Sequence, residues 1–220
     1  STIVPLISPR TAGAFMVYDS VVEGFEKTRQ FFDVELDGIT AYWPTSDGGT
    51  YYWPGEGIFI SQDDRGDRDV ILHEYGHFVA DSCGFALGSV GEDPIHYWNL
   101  DLRVATTMRS DQEARNLAFR ESWATLFSVA TQFGDTGYSY SGDCLYQDFD
   151  EITRWPIIID LETVSSARKT PGQFFECMTC GALWDIFDDN SDPADNNDTL
   201  SDPGLARIWA IAAQAKPADI

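Results

Sequence analysis

Basic residues are scarce in this sequence. Of its 220 residues, 14 are Lys or Arg and 36 are Asp or Glu, giving a formal net charge of -22. Only three are lysines (Lys27, Lys169 and Lys216), and the longest basic run is Arg168-Lys169. Phosphate contacts need clustered Lys and Arg, so neither nucleic acid nor an anionic membrane is an expected partner. No apolar run approaches the ~20 residues that cross a bilayer, so no transmembrane helix is expected. Internal repeats and long linkers are missing too. No initiator Met or charged-then-apolar leader precedes Ser1, so the chain reads as a mature or trimmed product. These features point to a secreted, soluble monomer held apart by self-repulsion, with high-salt adaptation and bound cations as sharper alternatives.

What is present is enough to build a core. Hydrophobic residues make up 43% and aromatics 14% of the chain, which excludes wholesale disorder. Cys83, Cys144, Cys177 and Cys180 allow three full pairings, and export favours one or two disulfides. Residues 14–18 read as a short strand. Ser20 is the expected cap of a following helix that carries Val21, Val22, Phe25 and Phe32. Ile39 to Trp43 and Gly57-Ile58-Phe59-Ile60 read as strands on either side of a Gly48-Gly49 turn. Helices are expected at about 68–82, 111–133, 171–188 and 203–215. The third opens on the capping-box spacing Thr170-Pro171-Gly172-Gln173. Residues 84–98 and 134–156 read as connections. The expected fold is α+β: one domain over residues 1–220, with an upper lobe of sheet and backing helix to about residue 83. A mainly helical lower lobe follows, and a cleft between such lobes is a usual place for a site.

The chemistry concentrates at His73-Glu74-Tyr75-Gly76-His77, inside an apolar, helix-compatible run. At about 100° per residue, His73 and His77 lie about 40° apart on one helical face, so both imidazoles can reach one Zn²⁺. Glu74, rotated by about 100° from His73, sits where a general base can act on a metal-bound water. The bland alternative is two core histidines and a salt-bridged Glu. Against it stand the apolar flanks and the fact that these are two of only three histidines. A third ligand is still needed. Positions shortly after the motif that would carry a further His in some zinc enzymes hold Ala80 and Cys83, which leaves His96 or a carboxylate from a later helix. Glu121 is the better candidate, because it lies mid-stripe among Ala114, Leu117, Ala118, Ala124, Thr125 and Ser128. A buried carboxylate needs a cationic partner, and small neighbours let its helix approach the motif helix; an ion pair with an Arg is the alternative.

His73-Glu-Tyr-Gly-His77, followed 44 residues later by Glu121-Ser-Trp-Ala124, resembles the gluzincin zinc metallopeptidases. The second segment is similar to the glutamate helix of gluzincin aminopeptidases and fungalysin-like enzymes. Ala182-Leu-Trp-Asp185-Ile-Phe-Asp188 also resembles a downstream helix of fungalysin-like secreted peptidases. The resemblance implies zinc ligands His73, His77 and Glu121, with Glu74 as base and then acid. Thermolysin-like members carry an Asp where this chain has Thr125, and they use a later His to stabilise the oxyanion, yet no His follows His96. His96, Tyr138, Tyr140 and Tyr146 are therefore the candidate stabilisers. Asp185 is the candidate hydrogen-bond partner that would fix the orientation of a ligand imidazole.

Three smaller expectations remain. The oxygen-rich segment from Asp188 to Asp198 suits a solvated loop or Ca²⁺, and Asn197-Asp198-Thr199 is a glycosylation sequon. Asp67 or Asp69 is the expected cap of the motif helix. Residues 57–60 are the expected cleft rim, holding substrate by strand addition. The expected function is a secreted zinc endopeptidase acting on a protein or peptide. The alternatives are a non-catalytic zinc-stabilised binding module and a gluzincin aminopeptidase. The acid excess predicts that acidic peptides approach slowly.

Overall fold

The computed structural model describes residues 9–46, 48–85, 88–91, 95–104, 108–133, 145–149, 156–161, 171–187 and 204–214. It begins with helix α1 (Pro9–Phe32), followed by strands β1 (Ala41–Thr45), β2 (Tyr51–Trp53) and β3 (Gly57–Ser61). Helices α2 (Arg68–Ser82) and α3 (Asp111–Phe133) come next. A second sheet, β4 (Leu145–Phe149) with β5 (Pro156–Asp160), precedes α4 (Glu176–Phe187) and α5 (Leu205–Gln214). The architecture is mixed α+β. No helix among the described residues is long and apolar enough to cross a membrane.

The first element corrects the sequence reading. Residues 14–18 lie inside α1 rather than in a strand, and Ser20 caps nothing: its hydroxyl donates to the Met16 carbonyl at 3.1 Å. The buried positions of α1 are Gly13, Val17, Ser20, Gly24, Thr28 and Phe31, a helical stripe made largely of small and polar residues. Phe15, Met16 and Tyr18 point outward, so the apolar run advertised the wrong face. The small stripe has a packing cause. A methyl group added at Gly24 would lie 2.7 Å from the Tyr75 ring, so α1 rests directly on α2 only because that position is bare.

The three-stranded sheet has the order β1-β3-β2, with β3 parallel to β1 and antiparallel to β2. β3 is central and four of its five residues are buried; β2, absent from the sequence reading, is an edge. Beneath the sheet, α2 and α3 form the centre of the core, with Ile71, Leu72, Val79, Trp123, Leu126 and Phe127 at zero exposure. Gly76 sets their separation, because a Cβ there would sit 3.0 Å from the Ala124 Cα. Trp123 Nε1 donates to the Gly76 carbonyl at 3.0 Å, and Ser128 Oγ donates to that of Asp69 at 2.7 Å.

Two later readings also change. The capping box at 170–173 does not start α4. Pro171 is extended (φ -78°, ψ 130°), a single 3-10 turn follows, and Phe175 is again extended (φ -120°, ψ 125°) before the helix begins at Glu176. That break lets Phe174 enter a small cluster with Leu102, Ala114, Leu117 and Ala118. The expected connection 134–156 contains β4, which pairs antiparallel with β5, so the part read as mainly helical carries a sheet of its own. Among Cys83, Cys177 and Cys180 no disulfide forms. Cys144 lies outside the described residues, as do Tyr138, Tyr140, the 188–198 segment and the sequon.

Candidate metal centre

The site is built on α2. Of the two expected caps, Asp67 fills the role, accepting from the Val70 amide at 3.3 Å. Asp69 instead accepts from Gln132 Nε2 and the Gln147 amide, tying α2 to α3 and β4. One turn further, His73 and His77 project together, both less than a tenth exposed, and Glu121 of α3 meets them. His77 Nε2 lies 3.1 Å from His73 Nε2 and 3.0 Å from Glu121 Oε2, and His73 Nε2 lies 3.3 Å from that oxygen. The imidazole planes cross at 85°, and both rings present Nε2 to one shared point.

Lone-pair donors gathered in a buried place are stabilised by a positive centre between them. Donors about 2.05 Å from a tetrahedral ion stand about 3.3 Å apart, close to the spacing seen here. The buried His73–His77–Glu121 group can therefore hold a metal ion. Around it the second ring nitrogens differ. His73 Nδ1 faces Thr125 Oγ1 at 3.2 Å. With Nε2 turned to the shared point, Nδ1 carries the proton and the hydroxyl accepts it. Thr125 thus holds the place expected for Asp185, since a hydroxyl suffices where a carboxylate was sought; Asp185 is half-buried on α4. His77 Nδ1 is buried with no hydrogen-bond partner among the described residues. Burial opposes the charge of Glu121, but His77, His96 and bonds from both ligand imidazoles outweigh it. They hold the carboxyl well below its ordinary range.

Glu74 stands beside this group at the cleft. Its Oε2 accepts from the Tyr52 amide at 2.7 Å, so the edge strand β2 fixes one carboxylate oxygen. Burial pushes Glu74 up to about 7, against the pull of His73. His96 completes the ring of titratable groups. It is not among the three converging donors: its Nε2 lies 3.4 Å from Glu121 Oε2, and its Nδ1 lies 2.7 Å from Glu176 Oε2. Burial pulls His96 down, but the Glu121 and Glu176 carboxylates prevail and push it up to about 10. Tyr146 of β4 is buried with its ring 5.8 Å from that of His73, and burial raises its phenol well above the usual range.

Sequence reasoning missed Glu176, Thr125 as a partner, and the Tyr52 amide. Glu176 sits 80 residues from His96, and only the break before α4 aims it there. The expected rim at 57–60 is also corrected: β3 is hydrogen-bonded on both sides, so only β2 has a free edge toward the site. His73, Glu74, His96 and Thr50 border two cavities. One, of about 380 Å³, is bounded by Asp64, Tyr146, Asp148 and Glu176. The other, of about 580 Å³, is bounded by Tyr51, Trp53, Pro54, Leu117 and Arg120. No protein-family model, curated protein or solved structure matches this chain.

Proposed function

We propose that the chain is a secreted zinc-dependent endopeptidase of gluzincin type, with the three-stranded sheet and the α3–α4 layer as the two lobes of a zincin-like cleft. The observation that carries this reading is the convergence of His73, His77 and Glu121 within 3.0–3.3 Å, with Glu74 alongside at the cleft. Two imidazoles and one carboxylate form a donor set that suits Zn²⁺ and leaves a position open. When bound, zinc would polarise a scissile carbonyl and lower the pKa of a water toward ~7. Glu74 takes the proton from the attacking water and hands it to the leaving amine. Burial raises Glu74 above the ordinary carboxyl range, the direction that suits a group that must accept a proton and then return it. Tyr52 holds Oε2 and leaves Oε1 for the transfer. His96, held by Glu176 at 2.7 Å with its Nε2 turned to the Glu121 side of the site, is assigned the role of oxyanion stabiliser. Two cavities that both meet Glu74 favour an extended peptide passing through over one that ends there, and so an endopeptidase over an aminopeptidase.

Glu74→Gln keeps the shape of the site and removes its base. We expect unchanged zinc stoichiometry, unchanged unfolding, and peptide hydrolysis reduced by at least ~10³-fold. Zinc-restored hydrolysis of casein peptides at the wild-type rate in this variant would overturn the assignment.

A further inference from the structure

We propose that Arg120 receives a carboxylate of the bound peptide in the apolar cavity beside Glu121, so that substrates presenting a negative group on that side are preferred. This rests on the reading of the site as a peptidase centre and names the substrate class. Arginines in so acidic a chain find oxygen partners readily. Arg65, Arg68, Arg103, Arg109 and Arg115 each donate to an oxygen of the chain. Arg120 makes no hydrogen bond or ion pair among the described residues, although it is only partly exposed.

The surroundings of Arg120 are those of a binding pocket rather than of a solvated face. Tyr51, Trp53, Pro54, Val90 and Leu117 line the same cavity, and Trp53 is left 56% exposed. Arg120 is close enough to act on the Tyr52 phenol, although burial and Asp81 prevail there and push that group up to about 12. Neither the neighbouring Glu121 carboxylate, which faces His73 and His77, nor Glu74, which accepts from the Tyr52 amide, forms an ion pair with the guanidinium. A planar guanidinium at an apolar wall takes a carboxylate through two parallel hydrogen bonds, while the aromatics cover the attached side chain. The net charge of -22 opposes approach of anions from a distance, whereas this contact rewards one properly seated.

The test uses N-acetylphenylalanine and its amide as probes, titrated by calorimetry into the zinc-loaded protein, its Arg120→Gln variant and its Arg120→Lys variant. The acid should bind at least tenfold more tightly than the amide to the wild type. The difference should vanish in Arg120→Gln and persist in part in Arg120→Lys. Equal binding to the wild type overturns the proposal. So does an acid preference that survives Arg120→Gln, which would mean that the metal alone attracts the carboxylate. If Arg120→Gln fails to fold, the zinc-free wild type takes its place: an acid preference that remains without the metal supports the proposal, and one that disappears with it overturns the proposal. Peptides differing only in a C-terminal acid or amide, or in an internal Glu or Gln, then show whether the carboxylate is terminal or a side chain. If no peptide is cleaved while the probe preference holds, the peptidase reading fails and the Arg120 assignment stands. Cleavage without any preference has the opposite meaning.

Discussion

The contact between Thr125 and His73 shows how little a ligand imidazole needs to be held in place. A hydroxyl 3.2 Å from Nδ1 selects the tautomer whose Nε2 lone pair points at the shared site. Among the described residues His77 Nδ1 lacks even that, so its orientation rests on packing and on the contact of its Nε2 with Glu121. Thr125→Val is isosteric and removes the acceptor. Metal affinity, measured by competition with a chromogenic chelator, should fall by about 10- to 100-fold, while Thr125→Ser stays near wild type. An unchanged affinity in the Val variant would show that the same suffices for His73. The spacing of His73 and His77 was legible because it is local, and Glu121 was legible from the small residues around it on the helical wheel. Glu176 was not, because nothing near it in sequence distinguishes the first residue of a helix from a residue aimed across the molecule at His96.

At the scale of elements, α2 and α3 were readable to the residue, and α1 was not. Both results come from the same rule, that a buried face is usually the apolar one. It holds for α2, whose Ile71, Leu72 and Val79 are inside. It fails for α1, where close approach to Tyr75 selects glycine and small polar groups over bulk. The β4–β5 pair escaped notice because Ile157-Ile158-Ile159 shows no alternation, although Ile158 is exposed and Ile159 buried. Close approach also governs the site. Gly76→Ala places a methyl 3.0 Å from the Ala124 Cα, against backbone that has nowhere to move. We expect a loss of about 1–3 kcal/mol in urea unfolding. Metal affinity should weaken at the same time, because any separation of α2 from α3 takes His73 and His77 away from Glu121. Stability lost without loss of metal affinity would mean that the helices yield elsewhere.

The whole molecule carries its acid excess into the cleft, with Asp64, Asp148 and Glu176 around the smaller cavity. Composition showed the excess and its even spread but not this concentration, which depends on β4, β5 and the start of α4 meeting the sheet. A chain at -22 is destabilised by its own repulsion, and salt screens it. Raising NaCl from ~20 mM to ~500 mM should therefore raise the melting temperature by several degrees. A lower one would mean that the arginine ion pairs, such as Arg103 with Asp101, outweigh the repulsion.

One indole lies where these scales meet. Trp123 is wholly buried, two residues from Glu121, and bonded to the carbonyl of Gly76 between the two histidines. It spans the gap that any ion must bridge. With the six other tryptophans replaced, its fluorescence would be an internal gauge of how closely the two halves of the donor set are held.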